Sequence, residues 1–134
     1  MRRPADRTIL RYLQTLAAAM DLSGWELAVD DTPSKSKTAW AYITVHRKKS
    51  YATVTVSDSL FIEPGWVQRQ AFVHELCHIH LAALDWAHDD AISGSEAKIK
   101  RLARRGWARV SEKATDDLAR LVALGLPLPP WKTP

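Results

Sequence analysis

His74, Glu75 and His78 lie in the string His74-Glu75-Leu76-Cys77-His78, two imidazoles four positions apart with a carboxylate directly after the first. On an α-helix, residues four apart share a face and stand about 6 Å apart along the axis. Two imidazoles so placed converge on one Zn²⁺, each at roughly 2.0–2.1 Å. Glu75 is then positioned as the base toward a water on that ion. The ion lowers the pKa of such a water toward ~7 and polarises a carbonyl. The chemistry these residue types imply is metal-assisted hydrolysis.

The surroundings of the motif matter as much as its spacing. From Ala71 to Ala87 the sequence reads AFVHELCHIHLAALDWA, in which Glu75 and Asp85 are the only ionisable groups besides the histidines and Cys77. A helix apolar on nearly all sides belongs in the protein interior. A carboxylate buried there beside two imidazoles costs several kcal/mol unless something compensates its charge, and a cation supplies that compensation. Cys77 falls on the core side and is expected to pack. His80 points away from His78 and is expected to be a packed or surface histidine.

The elements that must position this helix are legible in the periodicity. Residues 6–20 carry Ile9, Leu13, Leu16 and Met20, with Tyr12 beside them, the spacing of an amphipathic helix ended near Ser23-Gly24. Trp25–Val29 alternates as a short strand, and the polar stretch Asp30–Lys37, with Pro33, reads as a loop. Ala39–Val45 and Tyr51–Val56 alternate over β-branched and aromatic residues and are joined by the basic link His46–Ser50, which predicts an antiparallel hairpin. Pro64 suits the start of the HExxH helix. Gly94 interrupts the pattern, and Ser95 is placed to cap a last long helix running to about Leu124. The expected fold class is α+β: an N-terminal helix, a small mainly antiparallel sheet, the HExxH helix and a C-terminal helix. It is expected to form one domain over residues 1–126, followed by an extended, disordered Pro-rich tail at 127–134.

With its preceding hairpin and following helix, the HExxH segment resembles the minimal zincin metallopeptidases. It is most similar to the small HExxH proteins of actinobacterial phages and mobile elements, and more distantly to the SprT-like and ImmA-type peptidases. The resemblance spans roughly residues 25–110, but its specific part is the HExxH helix. It implies a zinc-dependent peptidase with His74 and His78 as ligands, Glu75 as general base and a peptide or protein substrate paired to the edge of the hairpin 39–56.

Catalytic zinc keeps three protein ligands and one open position. The metzincin continuation is missing, since Leu81 and Leu84 stand where its glycine and third histidine would be. Glu96, near the start of the final helix, resembles the glutamate that gluzincins present from a second helix. It also heads the stripe Ile99, Ala103, Gly106, Val110, expected to face the core. Asp85, His88, Asp89 and Asp90 stay open as alternatives, whereas Asp117 is expected to lie too far down the last helix. His88, Tyr42 or an arginine are the candidates for stabilising the oxyanion.

Composition bounds the rest. A hydrophobic fraction of 46% with six Trp supports a real core, and Cys77, the single cysteine, excludes an intrachain disulfide. The apolar run Ile9–Met20 is interrupted by Arg11 and Gln14, so no secretory leader or membrane span is expected and a soluble, cytoplasmic protein is. The net charge is +4. The basic run Lys98, Lys100, Arg101, Arg104, Arg105 and Arg109 is read as a solvated face, with nucleic acid or an acidic protein as the alternative partner. A metal-binding protein without peptidase activity is the alternative function.

Overall fold

The computed structural model describes residues 2–30 and 39–134. Most of the loop expected at 30–37 lies outside the described residues. The element order is α1 (Asp6–Ala19), β1 (Glu26–Val29), β2 (Ala41–His46), β3 (Tyr51–Val56), a short 3-10 turn (Asp58–Ile62), α2 (Gly65–Ile92) and α3 (Ala97–Ala123). The protein is therefore α+β, as its periodicities require. No described helix is long and apolar enough to cross a membrane.

The sheet has the order β1-β3-β2. Strands β2 and β3 form the expected antiparallel hairpin, with Ala41 opposite Val56 and His46 opposite Tyr51. Strand β1 pairs parallel to β3, Glu26 opposite Tyr51, so the sheet is mixed rather than mainly antiparallel. The reason is topological. Strand β2 runs opposite to β1, and β3 returns in the same direction as β1 and lies between the two. Strand β2 is left as an edge.

The inward faces of the strands (Ala52, Val54, Val56) meet Ile9, Leu13 and Leu16 of α1 and Phe72, Val73 and Leu76 of α2 in one core. Helix α2 is buried through Ala82, as its apolar character demands, and Cys77 packs in that core with 4% exposure. Beyond Ala82 the helix carries no buried residue, and its last turns form a hairpin with the start of α3.

Two expectations about the C-terminal region are corrected. The buried residues of α3 are Thr115, Ala119 and Ala123, while Ile99 and Val110 are half or more exposed; the stripe headed by Glu96 is not the inner one. The tail after Ala123 has no regular structure, but it is pinned. Trp131 donates its indole N–H to Gln68 Oε1 at 2.8 Å and meets Tyr12, Phe61 and Phe72 edge-on. Tyr12 donates to the Pro127 carbonyl at 2.8 Å. Gly65 permits this crossing, since a Cβ there would come within 2.9 Å of Thr133 Oγ1. An aromatic anchor outweighs the proline content that suggested a loose end.

Candidate metal centre

Helix α2 places His74 and His78 one turn apart, and their rings turn toward each other. The two Nε2 atoms are 3.2 Å apart. The carboxylate that joins them comes from α3: Glu112 Oε1 is 2.7 Å from His74 Nε2, and Glu112 Oε2 is 3.5 Å from His78 Nε2. One ligand atom from each of the three residues lies within 4.8 Å of the others. A tetrahedral ion with bonds of 2.0–2.1 Å spaces its ligand atoms about 3.3 Å apart. The 3.2 Å between the imidazole nitrogens and the 3.5 Å from Glu112 Oε2 to His78 Nε2 match that edge, while the 2.7 Å from Glu112 Oε1 to His74 Nε2 is a hydrogen-bond distance that would have to open. The donor types fit a zinc ion.

Asp116, one turn beyond Glu112 on α3, lies with Oδ1 2.8 Å from His74 Nδ1. Without an ion, the 2.7 Å contact between Nε2 and Glu112 needs a proton between them; with an ion bound, a proton on Nδ1 donated to Asp116 would leave the Nε2 lone pair for the ion. This is the carboxylate–histidine support that metal-ligating imidazoles use to fix tautomer and ring orientation.

Glu75 is 7% exposed. Burial, followed by the nearby charge of Glu112, raises its pKa to about 8, and the backbone N–H of Ile43 opposes the rise by donating to it. That N–H is available because of the sheet register. Ser57 N–H donates to the Trp40 carbonyl at 2.7 Å, which fixes the antiparallel alternation. The backbone groups of Ala41, Ile43 and Val45 therefore point away from β3, toward the free edge. Desolvation, the largest influence, lowers the pKa of His78 and favours the neutral imidazole that a metal needs.

Two clefts flank the centre along this edge. One, of about 450 Å³, is lined by Trp40, Trp66, Val67, Gln70 and Ala71 on the His74 side. The other, of about 460 Å³, is lined by Tyr42, Ile43, Val45, Ala82, Asp85 and Trp86 on the His78 side. Ala39, Ala41, Glu75 and Glu112 border both. Among the described residues neither lining contains a lysine or arginine, whereas Glu75, Asp85, Glu112 and Asp116 all contribute. Among the described residues the groove lining is therefore acidic.

The structure thus brings together His74, Glu75 and His78 and adds Glu112 and Asp116, which the sequence reading did not select. Glu96 is in the N-cap position of α3, where its side chain makes no capping bond and Ser95 is not the cap. The reason is the length of α2: it continues to Ile92, about 21 Å beyond His78 at 1.5 Å per residue. Glu96 sits at the far tip of the hairpin, and α3 must return the same distance before a carboxylate comes level with His78. The other candidates are engaged elsewhere. Asp85 accepts from the Trp107 indole at 2.6 Å, and His88 stacks on that ring at 4.6 Å. Asp89 lies 3.6 Å from Arg104, and Asp90 pairs with Arg47. Asp117 is turned outward to Lys113 at 3.1 Å. His80 Nε2 lies 2.7 Å from the Met20 carbonyl, a structural bond. Of the residues considered for the oxyanion only Tyr42 lines a cleft.

No family model matches this chain, and neither a curated protein nor a solved structure matches it.

Proposed function

We propose that the protein is a zinc-dependent metallopeptidase in which His74, His78 and Glu112 hold the ion, Asp116 orients His74, and Glu75 is the general base. The observation that carries this reading is the convergence of two imidazole Nε2 atoms and one carboxylate, from two helices, within 4.8 Å of one another at the meeting of two clefts. Without an ion these three groups must share protons between them, whereas a divalent cation satisfies all three donors together.

The bound ion supplies Lewis acidity toward the substrate carbonyl and acidifies a water at neutral pH. Glu75 accepts the proton of the attacking water and delivers it to the leaving amine. The Ile43 N–H donates to the Glu75 carboxylate, and Glu75 borders both clefts beside His74 and His78. Asp116 keeps His74 in one tautomer through Nδ1. The outward backbone groups of Ala41 and Val45 on edge strand β2 offer ladder bonds to an extended peptide, and the cleft between Trp40 and Trp66 accepts a large apolar side chain beside the scissile bond. Of the resemblances seen in the sequence, the zincin plan with a glutamate from a second helix agrees best with this arrangement.

The test is hydrolysis of an unstructured protein or a fluorogenic peptide mixture by zinc-loaded enzyme. Hydrolysis that disappears in Glu75→Gln while zinc stays bound supports the proposal. Zinc binding without hydrolysis of any peptide assigns the centre to a metal-stabilised binding protein instead.

A further inference from the structure

The first half of α3 takes no part in this chemistry. From Ala97 to Ser111 it carries Lys98, Lys100, Arg101, Arg104, Arg105 and Arg109 and no carboxylate. Arg104 pairs with Asp89; the other five have no ion-pair partner among the described residues. Lys98, Arg101, Arg105 and Arg109 succeed one another at three- and four-residue steps, so they form one row about 17 Å long.

A second basic arm is the β2–β3 turn with Arg47, Lys48 and Lys49, all exposed. Its position is fixed. Arg47 pairs with Asp90 and lies 5.7 Å from the Trp86 ring centroid, while the adjacent Asp89 takes Arg104. Two consecutive carboxylates of α2 thus hold one cation from each arm. Counting Asp85, Asp89, Asp90 and Glu96 against the nine cations, this end of the molecule balances at +5, where the whole chain carries +4.

The arrangement works against the stability of the free protein. Cations near a helix N-terminus face the positive end of its dipole, and Arg101, Arg105 and Arg109 repel one another at i,i+4 spacing. An external polyanion relieves both costs. We infer that the two basic arms form a binding surface for the phosphate backbone of nucleic acid, without base readout. Guanidiniums, four of the six cations in the first half of α3, match phosphate in bidentate fashion. Two arms across a helix seam suit a regularly charged strand. The turn carries no apolar residue, while Ile99, Leu102 and Val110 of α3 are exposed, so anionic vesicles are the competing ligand in the test. Binding does not depend on the metal centre and persists in Glu75→Gln and in chelator-treated protein.

The test is anisotropy titration of the full-length chain into a labelled DNA duplex and a single-stranded RNA of the same length. With four phosphates neutralised, affinity falls about 100-fold between about 50 and 200 mM salt. Arg105→Glu/Arg109→Glu weakens binding at least about tenfold, and Arg105→Gln/Arg109→Gln weakens it to a smaller degree. The charge-matched control Arg7→Glu/Arg11→Glu, on the exposed side of α1, changes it far less. Equal losses in both glutamate pairs overturn the inference. So do binding to polyglutamate as tight as to nucleic acid, and binding to anionic vesicles but not to either nucleic acid.

Discussion

Asp116 Oδ1 lies 2.8 Å from His74 Nδ1, so the imidazole that faces Glu112 is held from behind by a second carboxylate of the same helix. One turn of α3 thereby supplies both the proposed ligand Glu112 and the carboxylate behind His74. If Asp116 orients His74, Asp116→Asn weakens zinc binding about 10–100-fold without abolishing it at saturating zinc. Competition with a chromophoric chelator measures this. An unchanged affinity would show that the Asp116 contact is only a surface ion pair.

Glu75→Gln separates binding from chemistry. Removing a general base costs roughly 10²–10⁴ in rate, while the three ligands are untouched, so zinc stoichiometry is expected to equal that of the wild type. Loss of zinc in this variant would place Glu75 among the ligands.

The same residue sets a pH dependence in metal-free protein. Its folded pKa is raised from 4.5 to about 8, so the folded state keeps a proton that the unfolded chain releases. The associated stability is fully present below about pH 4.5 and is lost as pH rises through about 8. In chelator, wild type is expected to lose melting temperature across that window relative to Glu75→Gln, whose amide does not titrate. Parallel melting curves against pH would contradict a buried, desolvated Glu75.

Trp131 closes the core from the tail. Trp131→Ala removes a ring packed against Tyr12, Phe61 and Phe72 and leaves Gln68 without its partner. The expected loss is about 2–3 kcal/mol, or a melting temperature lower by about 5–10 °C. Thermal denaturation followed by circular dichroism checks it, and a shift of a degree or less would mean the tail is only laid on the surface.

The helices and the hairpin were legible because their apolar periods are strong, and the HExxH pair because it needs only one helix turn. The third carboxylate was not, because its position depends on where α2 ends. Gly94 lies in the break between α2 and α3, but Glu96, at the start of α3, cannot come level with His78, because an antiparallel hairpin pairs residues equally far from its turn. His78 and Glu112, and His74 and Asp116, are such pairs about residue 95. A signal did exist: Glu112 and Asp116 repeat the four-residue spacing of the histidines on the returning helix. The parallel pairing of β1 and the docking of Trp131 were hidden for a different reason, since both depend on contacts between segments far apart in the chain and leave no local pattern.

Zinc stoichiometry and affinity of the purified chain and of two glutamate variants bear most directly on the centre. One zinc per chain is expected in the wild type, with affinity falling about 100-fold or more in Glu112→Ala when a ligand is lost, and Glu96→Ala indistinguishable from wild type. A wild type that binds no zinc, or an affinity that survives Glu112→Ala and collapses in Glu96→Ala, would contradict the assignment.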